Sequence, residues 1–430
     1  MSRLKMLPWP AILLTLLIFS SASADRPEAL DENISSSVQI IPKKPDKNER
    51  LTAIYTLKKE KIVNAVTAYF KNALAKKQVS GAGVSIVKGD SILFTEGFGK
   101  RKATLKDNIN AQTVFRLGSL SKGFAGVLAG MYVNDGLLRW DSKIEDYVDG
   151  FQLGSLENSS QITLAKILSH TSGTPYHSYT NLVEAGLSLT DIAKRFKNIK
   201  PISKPGEIYS YQNAIFALSG TMIEQASGLS IGAALKERIF QPLGMKNAST
   251  DYKTLMASGN IAYPNYRSHH GWQSKKINDK YFNAVAAGGV NASPLDMAKW
   301  MRFLLGHNPE VADNSVLKAV FKPEVEIKGR AHYYQQWPGH ISSHYAHGWR
   351  LHEFKDEKTG EVEIMIHHGG AVSGYRNEIA IYPSEDLGIC VLFNSNTALA
   401  QTVIPELYQL IKEILNTPIE LFKNKLLASN

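Results

Sequence analysis

The chain has 430 residues, 43% of them hydrophobic and 20% charged, which is ample apolar material for a large core. That balance excludes intrinsic disorder, a collagen-like rod and a small disulfide-stapled scaffold. Lys and Arg number 49 against 39 Asp and Glu, a formal charge of +10. Such a surface suits an anionic cell-wall polymer, anionic lipid or nucleic acid as partner, and serves plain solubility equally well.

The first 24 residues have the make-up of a secretory signal. Arg3 and Lys5 precede an apolar run over residues 11–19, broken by Thr15, and Ala22-Ser23-Ala24 is the small-residue pattern that signal peptidase accepts. The run is shorter than the roughly 20 residues of a membrane span. Cleavage after Ala24 predicts an exported protein, periplasmic or secreted, with no stable membrane span left. Residues 25–50 are polar, hold Pro42 and Pro45, and read as a linker. Over residues 53–76 the apolar positions Ile54, Ile62, Val63, Val66, Tyr69, Phe70 and Leu74 recur at helical spacing. Strands follow at 83–87 and 91–96, joined through Lys88-Gly89-Asp90 as a hairpin. After Phe115 the pattern is helical and loop-rich to about residue 285. Ser293-Pro294 then reads as a capped helix start.

Strands return at 347–353, 361–366, 378–382 and 388–393. The last holds Cys390, the single cysteine, which reads as a buried structural thiol with no disulfide partner. A helix over 397–415 closes the pattern. Strand material at both ends with helical material between predicts an α/β arrangement. One antiparallel sheet flanked by helices is expected from residues 51–118 and 286–420, with a mostly helical domain, 119–285, inserted between its halves.

Ser119-Leu120-Ser121-Lys122 is the first chemical candidate. Positions i and i+3 of a helix share a face, so the Lys122 amine can reach the Ser119 hydroxyl. A serine becomes a nucleophile only when a neighbouring base takes its proton. Ser-x-x-Lys also starts at Ser2, Ser85 and Ser315, but those lie in the signal, in a strand and in an ordinary capped helix. Ser119 differs in its setting. Phe115-Arg116-Leu117-Gly118 precedes it, and a helix of small residues follows, with Gly123, Ala125, Gly126, Ala129 and Gly130.

The stretch 115–124 resembles the nucleophile region of the class C β-lactamase and penicillin-recognising serine hydrolase family, which includes β-lactamases, D,D-peptidases, D-amino-acid peptidases and carboxylesterases. The resemblance continues through Ile167-Leu168-Ser169-His170-Thr171-Ser172-Gly173, Pro205-Gly206-Glu207, Gln241-Pro242-Leu243-Gly244-Met245 and Ala287-Gly288-Gly289-Val290. It implies the serine β-lactamase-like fold, an antiparallel sheet flanked by helices plus a mostly helical domain, with the site between them and no cofactor. It also implies a Tyr-x-Asn pair. Tyr132, Tyr179, Tyr211, Tyr263, Tyr281 and Tyr375 all fit that spacing. Tyr211-Gln212-Asn213 is preferred because it follows Pro205-Gly206 and opens an apolar helix. The resemblance implies that Tyr211 relays protons between Ser119 and the leaving group, that Lys122 keeps the network polarised, and that Asn213 donates to the substrate's acyl amide.

The family pattern ends in Lys-Thr-Gly or His-x-Gly on the strand edging the site. The literal Lys358-Thr359-Gly360 sits in a charged, glycine-terminated run and reads as a hairpin turn. His269-His270-Gly271 lacks a strand context. His367-His368-Gly369-Gly370 ends an apolar strand, so His367 is expected at the site, with Gly369 letting substrate lie close. The backbone N–H groups of Ser119 and Gly370 are expected to form the oxyanion hole. Histidine carries little charge near neutral pH. That turns the expectation away from an efficient cephalosporinase and toward D,D-peptidase-like or esterase-like relatives.

The resulting expectation is an exported serine hydrolase acting through an acyl-enzyme on a small-molecule or peptide amide or ester. A true β-lactamase is one rival. A catalytically silent cell-wall peptide-binding or scaffold protein is another, against which the intact Ser119, Lys122 and Tyr211 argue. No metal is expected: His352-Glu353 lacks the second histidine of a metalloprotease helix, and adjacent histidine pairs point to opposite strand faces. Without a phosphate-cradling glycine loop or zinc-finger spacing, no nucleic-acid partner is expected.

Overall fold

The computed structural model describes residues 47–329, 332–357 and 359–421; the signal and all but the end of the linker lie outside them. From Leu51 onward the chain forms one compact unit. In chain order, helix α1 (Lys47–Ala75) begins within the segment read as linker and leads into β1 (Gly81–Lys88) and β2 (Ser91–Gly99). The two-residue β3 (Phe115–Arg116), helix α2 (Ser121–Asn134) and helix α3 (Asn213–Ser227) come next, with short helical turns between the last two. The hairpin β4 (Asn265–Ser268) and β5 (Gly271–Ser274), the two-residue β6 (Asn291–Ala292) and helix α4 (Pro294–Leu304) follow. Then come β7 (Val325–Glu326), β8 (His340–Tyr345), β9 (Arg350–Lys355), β10 (Val362–Val372), β11 (Tyr375–Tyr382), β12 (Leu387–Phe393) and helix α5 (Val403–Leu415).

Eight strands form one sheet in the order β2-β1-β12-β11-β10-β9-β8-β7, each neighbouring pair antiparallel. The last strand therefore lies beside the first, with Ser85 opposite Cys390, and this pairing merges the two ends of the chain. All of β12 and nearly all of β1 is buried, so both read as continuous apolar runs. On one face, Ile62, Val66 and Phe70 of α1 and Val403, Leu407 and Ile411 of α5 recur every three or four residues and pack on Val84, Ile86 and Val391. Phe70 stacks on Phe98 with ring centroids 5.1 Å apart. The other face carries α2, α3 and α4, where Phe124 stacks on Trp300 at 4.1 Å. Ser293 and Asp296 form a reciprocal capping box at the start of α4, with Pro294 in its first turn.

Three departures from the sequence expectation have physical causes. The strand expected from 347 starts at Arg350, because Gly348 turns the chain at φ 85°. Strand β8 has a weak inward apolar signal: Ile341 is half exposed, and of its two buried positions Ser343 is polar and bonded to His352 while Tyr345 alone is aromatic. The β4–β5 hairpin falls in a stretch read as helical; outside the main sheet, it is tied to the rest of the chain by a β-bridge from Asn265 to Ser395 and buries little beyond Asn265. Cys390 is buried in β12. Among the described residues no helix is long and apolar enough to cross a membrane.

Phe70 ties α1 to the sheet through fully buried aromatic contacts. Phe70→Ala is expected to lower the unfolding free energy by about 3–5 kcal/mol, read as a reduced urea midpoint with an unchanged slope.

Candidate active site

Ser119 stands on a tight helical turn, Gly118–Leu120, that joins β3 to α2. It is partly exposed, whereas Lys122, one turn on, is fully buried. The Lys122 Nζ lies 3.4 Å from Ser119 Oγ, 2.7 Å from Asn213 Oδ1 and 2.8 Å from the carbonyl of Ala287. Burial, and secondarily the charge of Arg350, holds this amine well below the usual lysine range. A neutral amine has two N–H groups and one lone pair. The two carbonyl oxygens take the donors, which leaves the lone pair for the Ser119 hydroxyl. From the other side the Tyr211 phenol donates to Ser119 Oγ at 2.9 Å. Burial raises the pKa of that phenol, so it carries its proton at neutral pH.

Asn213 opens α3. Its oxygen is taken by Lys122, and its Nδ2 donates to the Tyr281 hydroxyl at 3.3 Å. Of the six Tyr-x-Asn candidates, the structure brings the pair at 211 and 213 to Ser119 and Lys122. The pair at 375 has a different place: Asn377 Nδ2 donates to the carbonyls of Arg116 and Leu117, tying the Ser119 turn to β11.

Strand β10 flanks this turn. A side chain on Gly370 would collide with the Leu117 carbonyl and lie 2.6 Å from Leu120 Cδ1, so this strand meets the Ser119 turn backbone to backbone. Gly118 makes the reciprocal approach: φ is 56°, and a Cβ there would lie 2.8 Å from the Ala371 carbonyl. Pairing of β10 with β9 ends at His367 opposite Arg350, while pairing with β11 continues to Val372. Beyond His367 the β9-side edge of β10 is therefore not paired by a strand where it passes Ser119.

The expectation for His367 needs correction. Neighbouring strand residues point to opposite faces, and it is His368 that faces the site. Its Nε2 accepts from the Tyr345 hydroxyl at 2.9 Å, its Nδ1 donates to the Gly369 carbonyl at 2.7 Å, and its ring lies 6.5 Å from that of Tyr211. Burial and Arg350 hold it neutral. His367 points away, into a chain of polar groups under the sheet. It bonds Glu378 Oε2 through Nε2 at 2.8 Å and His352 through Nδ1 at 3.2 Å, and His352 bonds Ser343 at 2.8 Å. Burial pushes the Glu378 carboxyl up to about 7, against the pull of Arg376. Gly369 belongs to that same far face: a side chain there would meet Tyr333 Oη at 2.7 Å and Glu378 at 2.9 Å, so its smallness accommodates these groups rather than substrate. Thr359 and Gly360 lie in the β9–β10 turn, and Lys358 is outside the described residues.

The Beta-lactamase family model matches residues 66–409. The chain belongs to the Beta-lactamase family. Among curated members it is 27% identical over 338 residues to an unguisins hydrolase of Aspergillus campestris, which covers 76% of this chain and 60% of that protein. It is 22% identical over 353 residues to the protein flp of Staphylococcus aureus strain MW2, covering 80% and 65% respectively. The chain thus spans less than two thirds of the length of these relatives. The octameric penicillin-binding protein homologue from Pyrococcus abyssi superposes with a TM-score of 0.68 at 21% identity, over 80% of this chain and 77% of that one. The likeness establishes the fold that this Beta-lactamase family member shares with it.

One residue that sequence reasoning missed is Arg350, the first of β9. Its guanidinium lies 5.8 Å from the Tyr211 ring, 5.7 Å from Tyr345 and 5.1 Å from Tyr334, and among the described residues it has no carboxylate partner. An arginine following Trp349 carries no motif, so only the fold reveals it. Among the described residues, no group of three His, Cys, Asp or Glu is arranged to hold a metal ion.

A base that must be neutral gives a defined pH profile. The rate of Ser119 acylation is expected to rise as pH climbs through the depressed Lys122 pKa and then level off. Lys122→Arg, a cation that keeps its proton, is expected to lower the rate by about 100-fold or more and to remove that limb, measured by stopped-flow labelling with a fluorescent β-lactam.

Proposed function

We infer that the protein is an exported serine hydrolase acting through an acyl-enzyme, with a D,D-peptidase-like preference for substrates bearing a free carboxylate. The observation that carries this reading is the convergence on Ser119 Oγ of a proton-poor Lys122 amine and a protonated Tyr211 phenol. Ser119 Oγ bonds to the substrate carbonyl carbon as its proton passes to Lys122 Nζ. The oxyanion rests on the backbone N–H groups of Ser119 and Gly370, a role supported by the direct packing of β10 on the Ser119 turn. The bond to the leaving nitrogen or oxygen then breaks, and the leaving atom takes a proton from Tyr211; the proton that Ser119 gave to Lys122 returns to the phenolate, Lys122 Nζ lying 4.9 Å from the centre of the Tyr211 ring. Water cleaves the acyl-enzyme by the reverse sequence of proton movements. Export is supported by the charged, apolar and small-residue order of the first 24 residues.

Arg350 favours a peptide over a plain ester. A guanidinium beside the site with no carboxylate partner among the described residues matches a carboxylate on the substrate. Asn213 adds to this only through its Nδ2, since its oxygen is held by Lys122. β-Lactams also carry a carboxylate, so penicillin is expected to acylate the same serine.

Fluorescent penicillin is expected to label the folded protein and to fail with Ser119→Ala; absence of labelling at any serine would favour a silent binding protein instead. Sustained nitrocefin turnover would assign a true β-lactamase. Arg350→Gln is expected to raise KM for a D-Ala-D-Ala peptide by roughly tenfold to a hundredfold, the equivalent of one charged hydrogen-bonded contact. Turnover of a neutral p-nitrophenyl ester, measured above the Lys122 pKa, is expected to change far less.

A further inference from the structure

His170 lies behind Tyr211, outside the groups that reach Ser119. Its main-chain carbonyl accepts the N–H of Ser210 at 2.8 Å, and its ring Nδ1 accepts the N–H of Gln212 at 3.2 Å. One residue therefore grips the backbone on both sides of Tyr211. Its ring also lies 4.3 Å from the Tyr211 ring, between centroids. The φ of His170 is 60°, a left-handed conformation that a residue of this size holds only when its surroundings enforce it.

The chemistry of the ring shows what those surroundings select. The pocket is aromatic, with Tyr345 at 4.8 Å and Phe216 at 5.1 Å, and a phenylalanine would fill it with no polar atom to bury. The histidine instead carries a buried Nε2 with no hydrogen-bond partner among the described residues. Because Nδ1 accepts from Gln212, a neutral ring must keep its proton on that same Nε2. Burial, with the charge of Arg350, holds the ring neutral, so Nδ1 remains an acceptor near neutral pH. The ring thus supplies what a phenylalanine could not, an acceptor aimed at the residue after Tyr211.

We propose that His170 is a positioning residue for acyl transfer, holding the Tyr211 phenol against the Ser119 oxygen by fixing the backbone on either side and the ring from behind. It rests on the reading that Tyr211 acts in acylation, and its effect passes through Tyr211 alone.

A double-mutant cycle on the full-length protein tests it, with the second-order rate of Ser119 labelling by a fluorescent penicillin and by a fluorophosphonate as readout. Tyr211→Phe alone tests the underlying reading and is expected to slow labelling. His170→Asn keeps a residue that accepts the left-handed backbone and an oxygen near the Nδ1 position, but removes the ring. It is expected to slow labelling roughly tenfold to a hundredfold, the scale of a ~1 Å misplacement, while KM for a carboxylate-bearing peptide holds. In the Tyr211→Phe background the same change is expected to add no further loss. Should His170→Asn not fold, His170→Phe, which keeps the ring and loses the acceptor, runs the same cycle. Multiplicative losses in the double variant, wild-type labelling by the single His170 variant, or a KM shift matching the loss in kcat would each overturn the proposal. Full labelling by Tyr211→Phe would overturn the reading beneath it, and the proposal with it.

Discussion

A lysine amine sealed from water is the constraint from which the rest of the site follows. An ammonium in that position would lose its hydration and face the charge of Arg350, so the environment favours the form that has given up its proton. That form is useful only if its lone pair is directed, and direction requires acceptors for both N–H groups. The acceptors come from Asn213 at the start of α3 and from the Ala287 carbonyl, some 90 and 165 positions along the chain. Three distant segments must therefore meet within hydrogen-bonding distance. The packing of α2 against α3 and α4, anchored by Phe124 on Trp300, is what brings them together. Small residues in α2 serve the same end: a Cβ on Gly126 would run into the His347 carbonyl.

The sheet contributes an edge rather than a surface. Because β9 stops pairing at His367, the peptide groups of β10 beside Ser119 face the cleft with no strand to satisfy them. The same strand has a second environment underneath. There His340, Ser343, His352, His367 and Glu378 form a chain in which the neutral rings of His352 and His367 each donate from one nitrogen and accept at the other. Two adjacent histidines thus serve opposite faces, one at the cleft and one in a buried polar chain that fixes the strand from behind.

Much of the fold was legible because its signals are local and periodic. The helical spacing of Ile62, Val66 and Phe70, the hairpin through Gly89, the cap at Ser293 and the apolar run around Cys390 all reflect one-dimensional patterns. Strand β8 was not legible, because its two buried positions, Ser343 and Tyr345, are separated by the half-buried, polar His344 and find their hydrogen-bond partners only in the folded sheet. At the site, Ser119, Lys122, Tyr211 and Asn213 could be singled out because helix geometry and motif order constrain them. The choice between His367 and His368 turned on strand parity. The residues Ile364-Met365-Ile366 are apolar on both faces and so carry no parity signal. Arg350 has no local signature, and Tyr281, one of six matches to the Tyr-x-Asn spacing, reaches Asn213 through tertiary contacts that the spacing does not reveal.

The neutral histidine of β10 and the arginine of β9 are best understood together. Relatives with lysine at the β10 position carry a fixed charge there, and the sequence alone implies that a histidine in its place leaves a substrate carboxylate unanswered. In the folded chain, His368 is kept neutral by burial and by Arg350 itself, and its two nitrogens are occupied by Tyr345 and the Gly369 carbonyl. The charge lies one strand over. Arg350 sits opposite His367, where the free edge of β10 begins, with its guanidinium close to three tyrosine rings and no internal counter-ion among the described residues. A guanidinium offers two parallel donors where an ammonium is a point charge. The substitution therefore does not delete anion recognition in the proposed reading; it moves recognition to a planar group at the end of that edge, and the position of that group selects for an extended chain that ends in a carboxylate.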